Sequence, residues 1–260
     1  MNLIGRRANS LLSYKWWTYL ALSVGLFTSV ADNVSVIVAL PTISGYFGVD
    51  LSTSQWVIVG YSLSISALLL PMGRLADMVG RKQVYLSGFC LFVLSALLAA
   101  SAGNIFFLVG VRVIMGVGSA MVQATAMAIV ISTFPEDERG KILGLQMSAV
   151  GSGGVAGPIM AGLVVGAVGW QGVFLTTAFL GFIAIIVGQI VLTRGIEEAN
   201  TMKSDFDWMG AGLSAMVLIT FLLVVSNGAI FGWTSPVILT ASVALVGLLA
   251  AFTWRELEAS

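Results

Sequence analysis

The chain has 260 residues, 58% hydrophobic and 9% charged, with a mean hydropathy of +1.01 and a formal net charge of zero. Such a composition excludes a water-soluble domain, and charge balance excludes the basic face that nucleic-acid binding needs. With no histidine and a single cysteine, Cys90, inside an apolar run, the usual zinc ligand sets and an internal disulfide framework are excluded too. The solvent for most of the chain is therefore lipid. Backbone amides cannot stay unpaired in hydrocarbon, and long continuous apolar runs rather than ten-residue alternation point to helices, not a barrel. The expected fold class is an all-α polytopic membrane protein.

A bilayer core about 30 Å thick needs about 20 apolar residues per crossing. The first run, residues 17–40, follows Arg6, Arg7 and Lys15. It is too long for a signal-peptide core and lacks a clear small-residue cleavage site, so it is read as a retained span. Asp32 lies within it, nine residues before Pro41, or about 14 Å along a helix. A charge near the centre of a span costs roughly 2.5 to 3.5 kcal/mol, so Asp32 should face the bundle interior or a watery cavity. A carboxylate there can exchange one proton, and neutralising it removes a binding charge for a cation. Competition for Asp32 would then couple proton entry to cation exit. The alternative is a permanent salt bridge or a helix-to-helix hydrogen bond.

Spans at 54–73 and 84–102 flank the connection from Gly73 to Lys82. Gly73 and Gly80 permit close approach and a tight turn, while Asp77, Arg81 and Lys82 can form a charge cluster at the helix ends. The fourth span, 105–132, carries Arg112, which should pair with a carboxylate, backbone carbonyls or water. In the fifth, 142–166, Gly144, Gly151, Gly153, Gly154, Gly157, Gly162 and Gly166 crowd around Pro158. Gly153 with Gly157, and Gly162 with Gly166, have the four-residue spacing that exposes backbone for tight packing, and Pro158 can bend the helix. A sixth span at 171–193 precedes the longest polar break, from Arg194 to Asp207, and two spans follow at 208–227 and 236–254.

That makes eight expected crossings. Every Lys and Arg except Arg112 falls at the N-terminus, in the connections around 74–82, 136–141 and 194–207, or at Arg255. By the positive-inside rule these regions, and both termini, face the cytoplasm. Trp16, Trp17, Trp56, Trp170, Trp208, Trp233 and Trp254 sit near span ends, where an indole anchors at the membrane interface.

The connection Gly73-Arg-Leu-Ala-Asp77-Met-Val-Gly80-Arg81-Lys82 resembles the signature between the second and third helices of the major facilitator superfamily, with Met78 where another base is usual. Leu108, Arg112, Gly116 and Gly118 resemble the family's fourth-helix motif, whose arginine is associated with proton coupling. Gly153 through Gly157, Pro158 and Gly162 resemble the fifth-helix motif typical of antiporters, with Ala161 where a second glycine is common. Asp32 with Ala39-Leu40-Pro41 resembles the first-helix motif of the fourteen-helix drug:proton antiporters, and Trp56, Tyr61, Pro71 and the Asp207-Trp208-Met-Gly210 entry to a seventh helix also fit that branch. Val34 and Ile37 stand where that branch is usually polar.

The resemblance implies an N-terminal six-helix bundle over residues 1–193, a cytoplasmic linker at 194–207, and two additional transmembrane helices with a cytoplasmic tail at 208–260. It implies a multi-pass protein of the cell inner (plasma) membrane, exporting small lipophilic or cationic compounds in exchange for protons. Asp32 and Arg112 would act in coupling or substrate binding. Gly73, Asp77, Gly80, Arg81 and Lys82 would form a conformational-switch loop, and Gly153, Gly157, Pro158 and Gly162 the antiporter-motif helix. No cofactor, metal or nucleic-acid partner is expected, and no enzymatic constellation is seen. The family's second six-helix bundle is missing from the chain, so the chain is expected either to be the N-terminal part of a transporter or to pair with a second copy or a complementary C-terminal half. The competing reading is a truncated, non-transporting membrane module that assembles with or regulates another carrier.

Overall fold

The structure is a computed structural model that describes residues 2–192 and 208–259. The linker expected at 194–207, and Asp207 with it, lies outside the described residues. Eight helices follow one another: α1 (Asn2–Phe47), α2 (Leu51–Val79), α3 (Arg81–Ala100), α4 (Ile105–Thr133), α5 (Glu136–Val168), α6 (Gln171–Leu192), α7 (Trp208–Phe231) and α8 (Pro236–Ala259). No strand occurs among the described residues. Among the described residues, seven segments are long and apolar enough to cross a membrane, one each in α1 to α6 and in α8. The eighth expected crossing falls on α7, a 24-residue helix in which Gly212–Val225 is an apolar stretch among the described residues.

Helix ends are set by local chemistry. Asp50 caps α2, its carboxylate accepting from the Thr53 amide at 3.3 Å, and Asn104 caps α4 by accepting from the Phe107 amide at 2.8 Å. The Thr53 hydroxyl and amide hold the Asp50 carboxyl below its usual value. Gly80, at φ +115°, makes the turn from α2 into α3 in a conformation that side-chain-bearing residues rarely adopt. Pro41, Pro71 and Pro158 all lie inside continuous helices. Helix α1 therefore runs past Pro41 to Phe47, and at the other end it begins well before the apolar run.

Helix α1 packs along α5 and α6, α4 along α2 and α3, and α3 along α6, while α7 packs on α8 and α2. Glycine brings α4 close to both of its neighbours. A Cβ on Gly116 would stand 2.6 Å from the Tyr61 carbonyl oxygen of α2, and one on Gly118 would stand 2.7 Å from the Gly88 carbonyl oxygen of α3. Helix α5 approaches α1 in the same way at Gly153 and Gly157, whose Cβ atoms would lie 2.8 Å and 2.7 Å from the carbonyl oxygens of Phe27 and Ala31. The second pair expected to pack tightly does not do so. Gly162 and Gly166 are exposed, with nothing within 4 Å of a built Cβ, because Ala161 holds the inward position on that turn.

One apolar cluster gathers Leu22, Tyr85, Phe89 and Phe92, and a second gathers Ile43, Leu108, Trp170 and Phe174. Trp170 was expected at the membrane interface. It is instead only 1% exposed and packs edge-on to Tyr46 and Phe174 with ring centroids at 5.5 and 6.0 Å, because Gly169 turns the chain inward at φ +81°. Trp16, Trp17, Trp56, Trp233 and Trp254 keep exposed rings, as interface anchors require. Apolar side chains such as Leu70, Val155, Leu163 and Val243 are also largely exposed, as expected where lipid is the solvent.

Candidate functional site

Asp32 and Arg112 are the only charged side chains buried among the described residues. They meet between α1 and α4, where Arg112 Nη1 donates to Asp32 Oδ2 at 2.6 Å. The other carboxylate oxygen, Oδ1, accepts from the Thr177 hydroxyl of α6 at 3.0 Å. Both oxygens are thus used, and Asp32 is 2% exposed.

Arg112 is fixed on several sides. Its Nε donates to the Val57 carbonyl of α2 at 3.2 Å, and Nη1 also lies 3.3 Å from Met115 Sδ. The guanidinium carbon stands 3.9 Å from the Tyr61 ring centroid and 5.8 Å from that of Phe174, an arrangement that stabilises a cation in apolar surroundings. Nη2 is buried and has no hydrogen-bond partner among the described residues. A small, partly open cleft borders Asp32 between α1, α5 and α6, with Thr28, Asp32, Ser35, Val164, Thr177 and Leu180 in its walls.

On the N-terminal side of Asp32, Ser29 shares a hydrogen bond with Ser119, and the Tyr61 hydroxyl donates to Ser119 at 3.0 Å. Gln123 Nε2 donates to Ser119 at 2.9 Å and to Ser29 at 3.2 Å. On the other side, the Ser35 hydroxyl donates to the Gly157 carbonyl at 2.9 Å. The fifth-helix motif therefore reaches the site through Gly153 and Gly157. Pro158 is half-buried beside them, and Gly162 points away.

The expected switch loop is a separate place. Asp77 stands sixteen residues beyond Tyr61 on α2, about 24 Å along the helix. Arg81 donates from Nε to Asp77 Oδ1 at 2.9 Å and from Nη1 to the Ala128 carbonyl of α4 at 3.0 Å, so the loop is tied to α4. Lys82 follows in the first turn of α3, Gly80 supplies the turn, and Gly73 faces Ala124 of α4 at 3.9 Å from a built Cβ. Sequence reasoning named neither Thr177 nor the Ser29, Ser119 and Gln123 cluster. The available signal was polar residues at helical spacing in spans otherwise apolar, such as Ser119 and Gln123 four apart.

Residues 22–205 match the family model of the Major Facilitator Superfamily. The chain is 31% identical over 217 residues to the riboflavin transporter RibZ of Clostridioides difficile (strain 630), covering 83% of this chain and 47% of that protein. It is 30% identical over 253 residues to the tetracenomycin C resistance and export protein of Streptomyces glaucescens, covering 97% of this chain and 47% of that one. These relatives are a transporter and an export protein rather than enzymes, and the chain spans about half their length. Among solved structures, the crystal structure of the POT family transporter PepTSo matches with a TM-score of 0.67 at 12% identity, over 95% of this chain and 54% of that one, a likeness of fold. With a matched stretch running from inside α1 to beyond α6 and a fold shared with a solved transporter, the chain belongs to the Major Facilitator Superfamily.

Proposed function

We propose that these helices form one wall of a proton-coupled exporter of small hydrophobic, often cationic, compounds, related to the fourteen-helix drug:proton antiporters. In this reading residues 1–193 are the N-terminal bundle, 194–207 a cytoplasmic linker, and 208–260 two further helices with a cytoplasmic tail. The protein sits in the plasma membrane with both termini in the cytoplasm. The observation that carries the reading is the buried Asp32–Arg112 pair beside a cleft.

With Asp32 ionised, the pair has no net charge. A proton on its carboxylate leaves Arg112 as an uncompensated cation in a low-dielectric site, and that change of one charge is large enough to favour a different arrangement of the helices. Because Arg112 already neutralises the carboxylate and Thr177 takes its second oxygen, a cationic substrate would compete with Arg112 for Asp32. The geometry thus favours proton coupling over direct substrate binding for the pair. Alternating access rocks one bundle against another around a midplane site, so the exporter needs a second wall, from the rest of a longer protein, a second copy or a complementary half.

Reconstituting the chain in vesicles, alone and with a complementary six-helix half, tests the reading through efflux of a lipophilic cationic dye driven by a pH gradient. Coupled efflux that disappears in Asp32→Asn supports it. Efflux unchanged in Asp32→Asn, with proton coupling intact, sinks the role of Asp32. The second reading is a non-transporting module that assembles with or regulates another carrier. It predicts copurification with that carrier and no dye efflux in either preparation.

A further inference from the structure

The hydroxyl cluster below the ion pair has no part in the mechanism above, yet Tyr61 joins the two. Helix α2 meets the Arg112 guanidinium twice, with the Val57 carbonyl accepting from Nε and, one turn later, the Tyr61 ring centroid 3.9 Å from its central carbon. Tyr61 is fully buried, and its hydroxyl is held by Ser119, itself bonded to Ser29 and Gln123. Close approach of α4 to the Tyr61 backbone is possible because Gly116 has no side chain there.

We propose that Tyr61 is a positioning residue, whose ring, anchored at its hydroxyl by Ser29, Ser119 and Gln123, turns the Arg112 guanidinium so that Nη1 meets Asp32. This rests on the reading of Asp32 and Arg112 as the coupling pair. An arginine side chain has several rotatable bonds, and its fit to one carboxylate oxygen depends on what restricts its plane. The Val57 carbonyl alone leaves rotation about the Nε contact. The ring closes that freedom. The unpartnered Nη2 is consistent with a plane chosen by stacking rather than by a full set of hydrogen bonds.

The test reads the clasp directly, independent of transport. Dicyclohexylcarbodiimide adds to carboxyl groups in apolar surroundings that no cation holds, and mass spectrometry of the full chain in vesicles locates the adduct. Asp32→Asn identifies the Asp32 signal by removing it. Tyr61→Leu should raise Asp32 labelling at neutral pH about thirtyfold, the scale of a desolvated cation–π contact. Tyr61→Phe, which keeps the ring and loses the anchor, should raise labelling severalfold less than Tyr61→Leu yet measurably above wild type, and Ser119→Ala should resemble it. A folded Tyr61→Leu protein labelled at the wild-type level overturns the proposal. If Tyr61→Leu does not fold, raised labelling in Tyr61→Phe and Ser119→Ala supports it, and wild-type labelling in both overturns it. Absent dye efflux in wild type, with this labelling order intact, removes the coupling reading and leaves the positioning role standing.

Discussion

Asp32 gives one carboxylate oxygen to α4 and the other to α6, so each partner can be removed separately. Arg112→Leu leaves a buried carboxylate without its cation, a change that costs about 3 to 5 kcal/mol where it has been measured. The expected result is a sharp loss of thermal stability in detergent, followed by size-exclusion fluorescence on heating. Adding Asp32→Asn should restore most of that stability, because the pair is then replaced by neutral groups, while pH-driven efflux stays absent. Arg112→Lys keeps the charge and loses the bond to Val57 and the flat face against Tyr61, so folding should survive and coupled efflux should fall. Full coupled efflux in Arg112→Lys would reduce Arg112 to a packing cation. Asp32 and Arg112 were legible in the sequence because a charge inside an apolar span is costly and needs a reason. Their pairing was one of several options left open, since residues 80 apart in sequence show no sign of contact. Thr177 was silent for a different reason, since a threonine can satisfy its hydroxyl on its own helix, as Thr176 does on the Gly172 carbonyl.

Helix α5 shows how far residue spacing can be read at the scale of an element. Gly153, Gly157, Gly162 and Gly166 look equivalent in sequence, yet only the first two meet α1. A helix turns 3.6 residues at a time, so Gly162, five residues after Gly157, leaves the face on which Ala161 continues the contact. Gly157→Leu should force α1 and α5 apart, with an overpacking cost of about 1 to 3 kcal/mol or more. Gly162→Ala meets nothing, and the gain of about 1 kcal/mol from replacing glycine in a helix should leave stability equal or higher. Melting curves of the two variants compare these directly. If Gly162 serves the antiporter motif at a second bundle, Gly162→Ala will lower efflux without lowering the melting temperature. The helices themselves were legible because lipid leaves the backbone no alternative. Their ends were less so, as α1 running through Pro41 shows, because proline is tolerated where neighbouring helices support the freed backbone.

At the scale of the whole molecule, the charged contacts collect at one end of the bundle. Lys15 of α1 pairs with Glu138 of α5 at 2.6 Å, Arg139 pairs with Glu136 at 3.2 Å, and Arg81 links Asp77 to α4. The turns at the other end, Gly48–Asp50, 101–104, 169–170 and 232–235, carry Asp50 as their one charge. Basic residues are retained on the cytoplasmic side, so the charged end, with the Asp77 loop, should face inward. Single cysteines at positions 103 and 136, in a Cys90→Ser background, report this in right-side-out vesicles through a membrane-impermeant maleimide. Gly103→Cys should react at once, and Glu136→Cys only after the vesicles are opened. The reverse order would place the Lys15–Glu138 pair outside and overturn the orientation. With the expected order, α1 rises from a cytoplasmic start and brings Asp32 to the interior only after passing the Ser29, Ser119 and Gln123 cluster. The polar groups that hold Tyr61 then lie on the cytoplasmic side of the ion pair, and the hydrogen bond from the Ser35 hydroxyl to the Gly157 carbonyl lies on its outer side.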